Sequence, residues 1–230
     1  MLEWLVELEG DRAELEYLPR MSFKTWRPTE QCGKYYLKSA EFDSSADARD
    51  VREDASRTLN VMNGLAKVMF GNFRGARVRG ITRVDETGKQ TQFIMPSGVP
   101  SAEKVGIPTV VTSSEQEPPQ PPASPGAKWL EIAEKDESVA RALELYGRLE
   151  PNWIDLYKVL EVVEEDVTGE ESLMAKNWVE KSKIKRFKHT ANWMRHPPTK
   201  YKSPKTPMSL DDARSLIRNI LEAWLGSKQH

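Results

Sequence analysis

SSEQEPPQPPASPG, residues 113–126, divides this chain of 230 residues. Five prolines set among Ser, Gln and Glu suit neither a helix interior nor a strand ladder. Paired prolines favour extended, semi-rigid backbone. A softer stretch, Pro96 to Thr112, leads into it. The reading is an α+β chain: a small mixed α/β domain over residues 1–96, a Pro-rich linker over 97–126 and an all-α helical bundle over 127–230.

Within residues 1–96, Leu2, Trp4, Val6 and Leu8 alternate with Glu3, Leu5, Glu7 and Glu9, the period of a half-buried strand. Gly10-Asp11 makes a turn, and Glu14 to Leu18 reads as a returning strand. Tyr35, Leu37 and Ala40 to Phe42 suggest a third. Residues 46–70 place Ala48, Val51, Ala55, Met62, Leu65 and Met69 on one helical face, with Ser45 as the cap and Gly71 as the stop. Strands over Ala76 to Val84 and Gln90 to Met95 flank the turn Asp85-Glu86-Thr87-Gly88. The expected order is β-β-β-α-β-β. No glycine-rich phosphate loop joins strand to helix, which argues against a nucleotide-binding α/β fold.

Residues 127–230 read as about four helices. Val139, Leu143 and Tyr146 mark one stripe. Trp153, Leu156, Tyr157, Leu160, Val163 and Val167 mark a second, ended by Thr168-Gly169. A third spans 171–194. The last begins at Ser209, whose hydroxyl can cap the N–H of Asp212, and runs along Ala213, Leu216, Ile217, Ile220 and Trp224 to Gly226.

Charge is the functional signal. The net charge is −1, with 38% hydrophobic and 30% charged residues. Residues 175–205 nevertheless carry ten Lys or Arg and one acid, and residues 127–174 carry thirteen acids and five bases. Trp178, Phe187, Trp193 and Tyr201 lie inside the basic run. Clustered cations with aromatics can hold phosphates and stack bases. The same cations can instead neutralise the acidic block, chiefly Glu161, Glu164, Glu165 and Asp166. The candidate nucleic-acid contacts are Lys181, Lys183, Lys185, Arg186, Lys188, Trp193, Lys200 and Lys202. A second basic group, Arg77, Arg79 and Arg83 with Arg74 before it, reads as one strand face, answered by helix acids such as Asp47, Asp50, Glu53 and Asp54.

The histidines are His189, His196 and His230. His189 and His196 lie two helical turns apart, and no third ligand accompanies them, so no metal site is expected. One cysteine, Cys32, excludes an internal disulfide and a Cys-rich zinc module. The opening MLEWLVELEGD has no basic and apolar leader pattern, and no run of 18 apolar residues spans a membrane. A cytoplasmic protein without cofactor is the expectation.

The element Asn192-Trp-Met-Arg-His196, near the end of a helix in a small bundle, gives the C-terminal half a resemblance to the HEPN family. That resemblance implies a metal-independent endoribonuclease that commonly dimerises to pair two such motifs. It implies His196 as general base on a ribose 2′-hydroxyl, with Asn192 and an Arg steadying the phosphate. Ala191 stands where the family commonly has Arg, so Arg195 or Arg186 would supply that charge. Three functions follow as expectations. The first is a binding protein for RNA or another polyanion, the second a HEPN-like ribonuclease. The third is a protein-interaction adaptor in which the charged blocks only hold the bundle together.

Overall fold

The computed structural model describes residues 3–21, 26–93, 125–197 and 200–229. Strand β1 (Glu3–Glu9) buries Trp4, Val6 and Leu8 and turns its glutamates outward, as the alternation predicts. The segment expected to return as a strand is instead a short helix, α1 (Arg12–Tyr17), capped by the Asp11 carboxylate at the N–H of Ala13. Its Glu14 is not a strand residue but a clamp, accepting from the N–H groups of Arg74 and Gly75. Strands β2 (Trp26–Gln31) and β3 (Lys34–Ser39) form a hairpin, with Cys32 and Gly33 in the left-handed turn. β2 was not foreseen, because Pro28 sits within it. An outermost strand tolerates a proline, since half its donors face away from the ladder. After the short α2 (Ala40–Asp43) comes the long α3 (Ala48–Phe70), then β4 (Arg77–Val84) and β5 (Gln90–Phe93). All pairings are antiparallel, in the order β2-β3-β1-β4-β5. Asp47 rather than Ser45 caps α3, and Gly71 ends it with φ of 74°.

Six further helices follow in the described residues: α4 (Pro125–Lys135), α5 (Glu137–Tyr146), α6 (Trp153–Asp166), α7 (Glu170–Ala175), α8 (Lys181–Arg195) and α9 (Leu210–Ser227). α4 was not expected. Pro125 and Gly126, assigned above to the linker, open it, and a proline at a first helical position forfeits no bond. The rest of the 97–126 segment lies outside the described residues. The helix expected over 171–194 is two helices, broken where Asn177 adopts φ of 53°.

Packing runs across the division of the chain at 97–126. The first half of α3 buries a single stripe, Ala48, Val51 and Ala55, whereas residues 58–68 are buried almost all round except Asn60. A helix enclosed on every side must have partners on every side. One side meets β1 and β4, and the other meets α4, α5 and α9. The buried apolar side chains accordingly form one continuous core, from Trp4 and Ile81 in the sheet to Trp224 in α9. α6 packs on α5, α8 and α9, so α8 forms part of the outer helical layer.

The approach of α3 to α5 is backbone to backbone. A Cβ added at Gly64 would overlap the Leu143 carbonyl, and one at Gly147 would overlap the Asn60 carbonyl. Polar bonds fix the neighbouring seams. Asn63, fully buried, donates to the Ala76 carbonyl and accepts from its N–H, tying α3 to the start of β4. Lys67 donates to the carbonyls of Arg148 and Leu149 just beyond α5. Arg218 of α9 donates to the Val68 carbonyl at 2.9 Å.

Two outcomes are expected. Gly64→Ala gains about 1 kcal/mol of helix propensity but forces the helices apart, at a cost of about 3 kcal/mol. Net destabilisation in urea unfolding is the result; an unchanged midpoint would mean that α3 and α5 separate freely. Burial, helped by repulsion from Arg214, lowers the pKa of Lys67 from 10.5 to about 8. Between these values the unfolded chain holds a proton that the folded chain has released, so stability contributed at Lys67 rises with pH. Relative to Lys67→Met, the wild type gains up to about 3 kcal/mol from pH 8 to 10.5. A difference that stays constant over that range would show that Lys67 titrates as it does in water.

Candidate nucleic-acid interface

Between Glu180 and Asp211 the chain carries nine Lys or Arg and no acid. The segment folds as α8 followed by the loop 196–209, whose residues 198–199 lie outside the described set. α8 buries Ile184, Phe187, Thr190 and Ala191, so its basic residues must face outward or sideways. Phe187 is fully buried and rings with Trp153 and Tyr157, which removes it from the candidate stacking surfaces.

The cations divide by what they touch. Lys188 is ion-paired at 2.7 Å with both Glu164 of α6 and Glu170 of α7. Burial disfavours its charge, but the two carboxylates outweigh that and raise its pKa. Burial pushes the Glu164 carboxyl up, against the pull of Lys188. Among the described residues Lys188 is thus the one cation of the run that answers the acidic helix. Lys183 pairs with the exposed Glu180 at 3.1 Å. Arg186 is a structural tie: its Nε donates to the Thr206 carbonyl at 2.9 Å and its Nη2 to the Pro207 carbonyl at 2.8 Å.

Lys181, Lys185, Lys200, Lys202 and Lys205 are exposed and have no carboxylate within 4 Å among the described residues. The loop carrying the last three is held against α8. His189 Nε2 donates to the Lys202 carbonyl at 3.1 Å, and Arg186 holds the carbonyls at 206 and 207. Thr190 completes the seam, accepting from the N–H of Met208. The loop cations are therefore held beside α8, on which Lys181 and Lys185 are exposed and Trp193 is half-buried.

The three residues singled out by the HEPN resemblance are neighbours at the end of α8. Arg195 Nη2 donates to Asn192 Oδ1 at 2.7 Å, and its guanidinium lies 3.5 Å from the Tyr157 ring centroid. His196 caps α8, its N–H bonded to the Asn192 carbonyl, and its ring stacks on Tyr201 at 5.0 Å. Loss of water contact, then the charges of Lys200 and Arg195, hold the His196 pKa below its ordinary value. Among the described residues no group of three or more metal-ligating side chains is found, and no helix is long and apolar enough to cross a membrane.

The arginines of β4 do not form a single face. A bulge opposite Glu7 and Leu8 shifts the register, so that Arg77 lies opposite Glu9 while Arg83 lies opposite Trp4. Arg77 pairs with Glu9 at 3.1 Å, Arg79 with Glu7 at 3.7 Å, and Arg83 lies over the rings of Trp4 and Phe93. Glu9 and Glu7, which meet Arg77 and Arg79, both belong to β1.

Beside the first turn of α8 lies a groove of about 770 Å³, lined in part by Trp178, Lys181, Lys183, Arg186, Asp212, Ser215 and Asn219. The cap at Ser209 and the apolar face of α9 account for its start and its packing, and neither points to the polar side that lines the groove. Asp212, Ser215 and Asn219 recur at i, i+3 and i+7, a polar stripe that was available to find. Compared with protein-family models, with curated proteins and with solved structures, the chain matches none.

Removing structural cations and free cations should give opposite results. Lys188→Gln strands a partly buried carboxylate, and Arg186→Gln frees the loop. Each should cost about 2 kcal/mol, seen as a melting point lower by several degrees. Lys185→Gln and Lys202→Gln should leave the melting point within about a degree, since exposed unpaired charges contribute little. A drop of equal size in all four variants would mean that the whole run is structural.

Proposed function

We propose that the protein binds RNA or a related polyanion through the exposed side of α8 and the loop that follows it. The observation that carries this is the set of cations left without a carboxylate partner: Lys181, Lys185, Lys200, Lys202 and Lys205. Like charges grouped on one side repel, and the cost is relieved when phosphates approach. An adaptor whose basic run served only to neutralise the acidic block would need these residues to face that block. Among the described residues only Lys188 does so directly. Arg186 and His189 take no charge partner but fix the loop, which limits the ordering cost of binding.

Ribonuclease chemistry at His196 is a second reading, favoured by the bond between Asn192 and Arg195 beside a histidine whose pKa is lowered. A neutral imidazole can accept the 2′-hydroxyl proton while the guanidinium meets the phosphate. Arg195 already lies over Tyr157, so only part of its donor set is free for that task.

Affinity for single-stranded RNA should fall with rising salt. The triple variant Lys185→Gln, Lys202→Gln, Lys205→Gln should reduce the slope of log affinity against log salt by about 2, close to 0.7 for each lost phosphate contact. An unaltered slope would sink the binding reading at this face. RNA recovered intact from the same samples, with chelator and at neutral pH, would remove the ribonuclease reading and leave binding untouched.

A further inference from the structure

We propose that the groove between the α7–α8 connection and α9 holds one unstacked nucleotide of a single-stranded nucleic acid, with cytosine preferred over uracil. This deepens the polyanion reading above and rests on it. The groove encloses about 770 Å³, within the range of roughly 300–1,000 Å³ typical of small-ligand sites. Its lining is divided by chemistry. Lys181, Lys183 and Arg186 bring three cations from the first turns of α8. Trp178 and Val179, half-buried, and the buried Met208 and Leu216 offer apolar surface. Asp212, Ser215 and Asn219 bring hydrogen-bonding groups from α9.

That division matches a nucleotide: an anionic phosphate, a flat base and an edge of donors and acceptors. Arg186 is preorganised, because two backbone carbonyls hold its Nε and Nη2 and leave Nη1 for a ligand. Lys183 is held only by the exposed Glu180, a pair that a phosphate can replace at small cost. An indole beside cations suits a base whose phosphate lies on those cations. A base still paired in a duplex cannot enter, since its ring is stacked between neighbours.

Asp212 supplies the selectivity. It is exposed, lines the groove and has no ion-pair partner among the described residues. A carboxylate accepts from the exocyclic amine of cytosine and repels the carbonyl oxygen that uracil carries at the same place. Glu180, the other acid of the lining, is already engaged by Lys183 and Ser182.

The test uses the whole chain and three probes: oligocytidylate and oligouridylate of about eight nucleotides, and a duplex of the same length. Oligocytidylate should bind about tenfold more tightly than oligouridylate, with the duplex weakest. Asp212→Ala should erase the difference between the two pyrimidines. Trp178→Leu should weaken oligocytidylate binding about tenfold and leave the salt slope unchanged. Because Trp178 is half-buried, Ser215→Trp serves as a second variant; it fills the groove from an exposed position and should give the same loss. Oligocytidylate binding unaffected by both Trp178→Leu and Ser215→Trp would overturn the groove assignment while leaving the polyanion reading in place. Equal affinity for the two pyrimidines would overturn the selectivity of Asp212. Absence of binding to all three probes by the wild type would defeat the polyanion reading, and the groove proposal with it.

Discussion

The close approach of α3 and α5 at Gly64 and Gly147 is the constraint on which the remaining packing depends. Side chains normally hold helices 8 to 10 Å apart. Here two glycines remove that spacer, and each backbone lies against the other's carbonyl. α3 can then serve two layers at once, covering the inner face of the sheet and forming a wall of the bundle. Lys67 and Arg218 reach the carbonyls beside this seam, satisfying chain ends that burial would otherwise leave unpaired. A lysine in such a place carries a depressed pKa as the direct cost of leaving water.

Outward from that seam the structure becomes progressively more electrostatic. α6 lies between α5 and α8, and its acids divide between structural partners. Asp166 receives the Trp224 indole N–H and Lys228, while Glu164 receives Lys188. Asp155 closes the start of α6 in a reciprocal cap with Asn152 and meets Arg148. Asp155, Glu164 and Asp166 are therefore occupied in holding helix ends and seams, while Glu161 and Glu165 of the same helix are exposed. Among the described residues Lys188 is the one cation of the basic run paired with α6, and a surplus of cations remains on α8 and its loop.

Geometry turns that surplus into a surface. A loop of lysines and prolines would have high conformational freedom by itself. Bonds from His189, Arg186 and Thr190 hold it along α8, so two basic chain segments lie next to each other. The neighbouring groove exists because α8 starts only after the break at Asn177, which leaves Trp178 and Val179 beside the polar stripe of α9. The groove adjoins the basic run, since Lys181, Lys183 and Arg186 line it.

Local chemistry was enough to read several elements. Alternation gave β1, periodicity and the glycine stop gave α3, and the Ser209 cap gave α9, because each pattern is set by the nearest residues. The segment Glu14 to Leu18, expected as a strand, enters α1 instead: Leu15 and Tyr17 between Glu14 and Glu16 suit strand and helix alike, and the Asp11 cap decides the matter. β2 was hidden by Pro28, which only an edge position permits, and edges are assigned by the whole sheet. The basic run was visible from residue types alone, as were Asn192, Arg195 and His196. Which cations were free was not, because Lys188 meets Glu164 and Glu170 across 24 and 18 residues of chain. The sequence by itself determined β1, α3, α9 and the places where charge of one sign accumulates. The tertiary structure alone decided that α3 belongs to both halves, that Lys188 is spent on acids while Lys185 is not, and that α9 completes a groove with α8. The reason is that pairing and enclosure depend on distances between residues far apart in the chain, which local periodicity does not encode.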